Sequence, residues 1–183
     1  MTLRVLVCRS ALVAVVLLPA VGTASASAAR TYPDLAGDLF GRAGPDIVSV
    51  AVAHTATTIT FRVRFAKAPP LMANPLEQWL DVLAIALDVP PKGPAPTPSG
   101  WKGADYSAGA LATQTTGTLT KGPGWRRVAT FKLAVSGRTM TLSIPRRRVG
   151  NPAWFHFVVA AGREGGVSDS SPDRGSFRYV LAG

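Results

Sequence analysis

The chain has 183 residues, with 20 Lys and Arg against 10 Asp and Glu, and a single cysteine, Cys8. One cysteine excludes a disulfide-held scaffold. After the first 28 positions no run is long and apolar enough for a membrane-spanning helix, which takes about 20 residues. A net charge of +10 points to anionic surfaces or polymers as partners. It does not point to nucleic acid, because no recognisable nucleic-acid module interleaves the basic residues with aromatics.

The first 28 residues read as a secretory leader. Arg4 and Arg9 precede the apolar run 11–18 (ALVAVVLL), Pro19 and Gly22 break it, and Ala24-Ser25-Ala26-Ser27-Ala28 supplies the small residues of an Ala-x-Ala cut. Cleavage after Ala28 leaves one secreted domain, 29–183, of 155 residues with 18 basic side chains against 10 acidic ones. A chain of that size buries about 70% of its unfolded surface, enough for a core without staples. It needs such a core, because Cys8 leaves with the leader. Cys8 lies before the apolar run, so it is not a lipid-anchoring cysteine.

Downstream, strand signals dominate. Residues 47–53 read IVSVAVA. In Thr58–Phe65, Ile59, Phe61, Val63 and Phe65 alternate with Thr58, Thr60, Arg62 and Arg64, the period of a half-buried strand. The polar connection 54–57 predicts an antiparallel hairpin between these two runs. Residues 79–87 (WLDVLAIAL) are almost wholly apolar and are read as a buried strand, and 71–78 as a short helical turn. Residues 90–100 (PPKGPAPTPSG) hold five prolines, which remove donors and lock φ, so this is a Pro-rich exposed loop inside the domain. Further strands are predicted at 105–112, 125–133, 139–144, 154–160 and 177–181, with Ser136-Gly137 as a tight turn. About nine short strands, no amphipathic helix and no internal repeat predict an all-β domain, an antiparallel β-sandwich of jelly-roll type.

The chemistry-bearing residues are sparse. There is no Gly-x-Ser-x-Gly elbow, and the exported domain has no thiol. The Gly-rich pieces 121–124 and 162–166 lack phosphate-loop spacing and are read as turns. His54 and His156 form no zinc motif, and His156 is read as packed beside Trp154 or Val158. A rim carboxylate beside either histidine would favour a hydrolase. Asp34, Asp38 and Asp46 lie close together before and at the first strand, Asp88 ends one strand, Asp105 begins another, and Asp169 and Asp173 flank Ser170-Ser171-Pro172. Carboxylates at strand ends can converge on one rim, and calcium takes about six to eight oxygens. Asp88, Asp105, Asp169 and Asp173 are therefore candidate ligands of a structural calcium, against the alternative that each caps its own turn. Trp101, Tyr106 and Trp125, in or beside loops, are candidate ligand-binding residues, since sugar rings stack on exposed aromatic faces. Arg146-Arg147-Arg148 is read as a solvated turn after Pro145.

Several phrases occur in a suggestive order: Asp34-Leu-Ala-Gly37-Asp38, Pro45-Asp46-Ile47, Leu87-Asp88, Gly103-Ala-Asp105-Tyr106 and Asp169-Ser-Ser-Pro172-Asp173. This order resembles secreted bacterial β-sandwich domains related to the family-nine carbohydrate-binding modules and the DOMON superfamily. The resemblance spans roughly Asp34 to Leu181. It implies a jelly-roll-like accessory module that binds sugar or, in DOMON relatives, haem. The chain departs from the pattern at Pro90, where relatives carry the second acid of an Asp-x-Asp phrase. The paired tryptophans that clamp sugar in family-nine modules are not placed on Trp101 or Trp125 by this resemblance. Haem ligation by a Met and His pair would draw on Met72 or Met140 with His54 or His156, and Met140 falls on the core side of a strand pattern.

The expected function is a non-catalytic secreted binding module for carbohydrate or another cell-envelope polymer. The alternative is a structural or protein-interaction domain, stabilised by calcium and without a small-molecule ligand.

Overall fold

A computed structural model describes residues 27–39, 45–68, 82–89, 96–97, 102–111, 114–163 and 166–181. Its strands are β1 (Arg30–Pro33), β2 (Ile47–His54), β3 (Thr58–Phe65), β4 (Val82–Asp88), β5 (Tyr106–Leu111), β6 (Thr116–Lys121), β7 (Arg126–Ser136), β8 (Thr139–Pro145), β9 (Trp154–Arg163), β10 (Gly166–Ser171) and β11 (Phe177–Val180). A 3₁₀ turn, Arg146–Val149, joins β8 to β9 and ends at Gly150, whose φ of 80° suits the absence of a Cβ.

Every pairing is antiparallel. The hydrogen-bonded path runs β1-β2-β3-β8-β7-β6-β5-β4-β9-β10, and β11 pairs with β9 beside β10. The expected sandwich of two separate sheets is therefore not what the ladder shows. One continuous antiparallel sheet of eleven strands curls until it nearly closes into a barrel. Its open seam lies between the β1-β2 edge and the β10-β11 edge, and side chains span it.

Among the described residues there are eleven strands where nine or so were expected. The additions, β1 (RTYP), β6 (TGTLTK) and β10 (GVSDSS), are short and mostly polar. Their order comes from the ladder with a neighbour, not from apolar periodicity. The strands read from alternation are present. Burial follows period two in β2, β3 and β8, and β2 and β3 form the expected hairpin. A two-residue turn, Gly137-Arg138, joins β7 to β8, with Gly137 at φ 54°. The expected strand at 79–87 is described from Val82 onward. The helical turn at 71–78 and all of the Pro-rich loop except Pro96 and Thr97 lie outside the described residues.

The inner face of the curled sheet is the core. Phe61, Phe155 and Phe157 are at most 1% exposed and pack ring on ring, with centroids 5.4 to 6.0 Å apart. Tyr32 stands edge-on to Phe157 at 5.2 Å and leans on Phe177 at 4.6 Å, which ties both seam edges to the same cluster. The unbroken apolar run of β4 has a physical reason, since β4 and β9 are buried on both faces. Leu83, Ile85 and Leu87 join the main core, while Ala86 is buried across the ladder from Val158. Gly117 of β6 lies directly beneath the Phe131 ring, and a Cβ there would come 2.1 Å from it. Among the described residues no helix is long and apolar enough to cross a membrane.

Candidate functional site

At one end of the seam five carboxylates meet. Asp34 follows β1, where its N–H donates to the Val48 carbonyl (3.1 Å) and holds the chain against β2. Asp38 follows the turn at Gly37, whose φ of 89° suits glycine and whose N–H donates to Asp46 Oδ2 (2.9 Å). Asp46 immediately precedes β2. Asp169 lies within β10, at an irregularity in the β9-β10 register between Val167 and Asp169. Asp173 follows β10. Carboxylate oxygens of Asp34, Asp38 and Asp173 lie within 4.8 Å of one another, as do those of Asp38, Asp46 and Asp169, so Asp38 belongs to both triads.

Electrostatics make this cluster anomalous. Asp169 is 0% exposed. One of its oxygens accepts the Ile47 N–H across the seam, while the other, Oδ1, is buried without a hydrogen-bond partner. Asp46 Oδ1 and both oxygens of Asp38 are also buried and unpartnered. No lysine or arginine among the described residues pairs with any of the five acids. Burial pushes the Asp34 carboxyl up to about 7, Ser171 opposes the rise, and the charges of Asp169, Asp38 and Asp173 add to it. Burial pushes Asp169 up to about 6, opposed by the Ile47 and Ser170 backbone N–H groups and helped by the charges of Asp38 and Asp46. Concentrated like charge with unfilled lone pairs is costly unless a cation or protons neutralise it.

The donor set decides which cation fits. It is all oxygen, with no histidine or cysteine, which disfavours zinc. Calcium accepts many hard oxygen ligands in irregular geometry, and the two triads offer that.

Of the four predicted metal ligands, Asp169 and Asp173 belong to this cluster and Asp88 and Asp105 do not. Asp88 is opposite His156 on β9 and Asp169 is opposite Ala161, which puts them roughly 16 Å apart along that strand. Asp105 is engaged locally, accepting the Val89 N–H (2.9 Å) while its own N–H donates to the Leu87 carbonyl (2.8 Å). Asp88 is buried with Oδ2 3.7 Å from His156 Nδ1. Its pKa is raised by burial first and by Asp105 next, against the pull of His156. The His156 ring also meets Trp154 edge-on at 5.2 Å, the neighbour expected from the strand pattern. This carboxylate–histidine pair is one half of what a hydrolase needs; at 3.7 Å the two groups are an ion pair without a hydrogen bond on Nδ1. Asp34, Asp38 and Asp46 were legible as a group in sequence. Their link to Asp169 was not, because it depends on the seam.

The three candidate sugar-stacking residues are not gathered into a platform. Tyr106 is buried at 8% exposure as part of the core, with Lys121 Nζ 5.5 Å from its ring centroid, so it offers no face to a sugar. Its place at the first position of β5 turns the ring inward. Trp125 is half-exposed on the β6-β7 turn at φ 47°. Trp101 lies outside the described residues.

The rest of the charge is segregated. On the outer face of β3, Arg62 and Arg64 are exposed. Next to them across the ladder stand Thr141 and Thr139 of β8, then Ala134 and Ser136 of β7. The adjoining row is Thr60, Ser143 and the exposed Lys132. No acid lies in these rows. No protein-family model matches the chain, and no characterised protein matches it in sequence.

Proposed function

We propose that the protein is a non-catalytic secreted β-domain that folds around bound calcium, held by Asp34, Asp38, Asp46, Asp169 and Asp173 at the seam of its sheet. The observation that carries this reading is the fully buried Asp169 carboxylate, with one oxygen on the Ile47 N–H and the other unpartnered amid four more acids. Calcium would neutralise the cluster and join the β1-β2 edge to β10. Binding to the folded state alone raises stability in proportion to the logarithm of ligand over Kd. Thermal unfolding of the purified protein in calcium and in chelator tests this. A melting temperature higher in calcium supports it, and identical curves refute it.

A second reading concerns the partner. The outer face of β3, β8 and β7 sets Arg62, Arg64 and Lys132 among hydroxyls without an acid, which suits an anionic cell-envelope polymer better than a neutral sugar. Retention on anionic polysaccharide that weakens with salt, and that Arg62→Glu with Arg64→Glu abolishes, supports it. Equal retention on neutral polysaccharide refutes it.

A further inference from the structure

The far end of the seam carries a second polar cluster, built on Ser27. Its N–H donates to the His54 carbonyl (2.9 Å), and its Oγ accepts the His54 N–H (3.0 Å). The same Oγ lies 2.9 Å from His54 Nδ1 and 3.3 Å from Tyr179 Oη, while Tyr179 Oη lies 2.8 Å from that Nδ1. His54 is the last residue of β2 and Tyr179 lies on β11, at 7% and 3% exposure. Ser27 therefore holds the segment before β1 to the end of β2 and reaches across the gap to β11. Tyr32 makes the middle crossing, its hydroxyl donating to the Arg178 carbonyl (2.6 Å).

This bears on where the leader is cut. Two overlapping phrases offer the small residues that signal peptidase needs, Ala24-Ser25-Ala26 and Ala26-Ser27-Ala28. They are equivalent as sequence but not in the fold. A cut after Ala28 discards every contact of Ser27 with a buried histidine and a buried tyrosine. A cut after Ala26 keeps them all and places the new amino terminus on the Ser27 nitrogen. That nitrogen already donates to His54, and as an ammonium it forms the stronger, charge-assisted bond.

We infer that the processing site is the Ala26–Ser27 bond and that Ser27 is the first residue of the mature protein, closing its seam. This rests on the reading of residues 1–26 as a leader. Hydrolysis of the bond by water leaves the Ala26 carboxylate on the leader and the Ser27 amine on the domain.

The test is the intact mass and N-terminal sequence of the protein exported from a secreting bacterial host expressing the full chain. A mature chain beginning at Ser27 is expected. A chain beginning at Ala29, or at any other residue, overturns the assignment, and an unprocessed chain retained in the cell overturns the leader reading beneath it. A second measurement isolates the role of Ser27. The exported Ser27→Ala protein, confirmed by mass to start at the same position, should melt lower by roughly 5 °C. An unchanged melting temperature overturns the seam-closing role even if the cut is where we place it.

Discussion

The carboxylate of Asp169, within β10, accepts the backbone N–H of Ile47, the first residue of β2. β2 and β10 share no ladder, and this bond joins them across the seam. Ile47 is fully buried, so its N–H needs a partner inside the protein. A carboxylate acceptor supplies it, and the second oxygen, Oδ1, is left buried without a hydrogen-bond partner in a residue that clusters with Asp38 and Asp46. The bond that helps close the sheet thus also leaves a buried carboxylate oxygen that a proton or a cation would neutralise.

Asp169→Asn and Asp38→Asn should each weaken calcium binding by at least about tenfold, equivalent to about 1.4 kcal/mol. Asp88→Asn, roughly 16 Å away along β9, should leave it unchanged. Isothermal titration calorimetry on the three variants checks this. Equal loss in Asp88→Asn would mean that the ion lies elsewhere.

The pH response of the metal-free protein has a definite sign. Asp34 at about 7 and Asp169 at about 6 both lie above the unfolded value for aspartate, about 3.9. The folded state then holds protons that the unfolded chain has released. The stability from these groups is complete below about pH 4 and is lost as pH rises through about 6 to 7. In chelator, melting temperature should fall between about pH 5 and pH 8. The increment from calcium should grow over the same interval, because protons and metal compete for the same oxygens. A metal-free melting temperature that climbs across this range would contradict the assignment.

Gly117→Ala should destabilise the fold by about 1–3 kcal/mol, because the new methyl meets the Phe131 ring and the Gly109 carbonyl inside the sheet. Denaturant unfolding measures it. The double variant Gly117→Ala, Phe131→Ala should lose less than the sum of the two single changes, since the clash and the ring are removed together.

Tyr32→Phe removes only the hydroxyl that spans the middle of the seam to the Arg178 carbonyl. A loss of about 1 kcal/mol is expected, with the aromatic packing on Phe157 and Phe177 intact. Hydrogen exchange should quicken along β11 and leave the β7-β8 hairpin unaffected.

The sequence by itself determined the all-β character and most of the strands. The alternation in Thr58–Phe65 puts four apolar side chains on one face, and the apolar run of β4 can only be buried. Asp34, Asp38 and Asp46 could be read as neighbours because 12 residues separate the first from the last. What only the tertiary structure decided is everything that depends on closure. β1, β6 and β10 carry too little apolar pattern to announce themselves and are ordered by pairing. Whether the sheet divides in two or curls into one is settled by ladder partners far apart in the chain, such as Phe61 with Leu142. Asp88 and Asp169 are both candidate ligands by sequence, one at a strand end and one before Ser170-Ser171-Pro172. The seam brings Asp169 to four other carboxylates and leaves Asp88 beside a histidine, because charge acts over distances in space, whatever the separation along the chain.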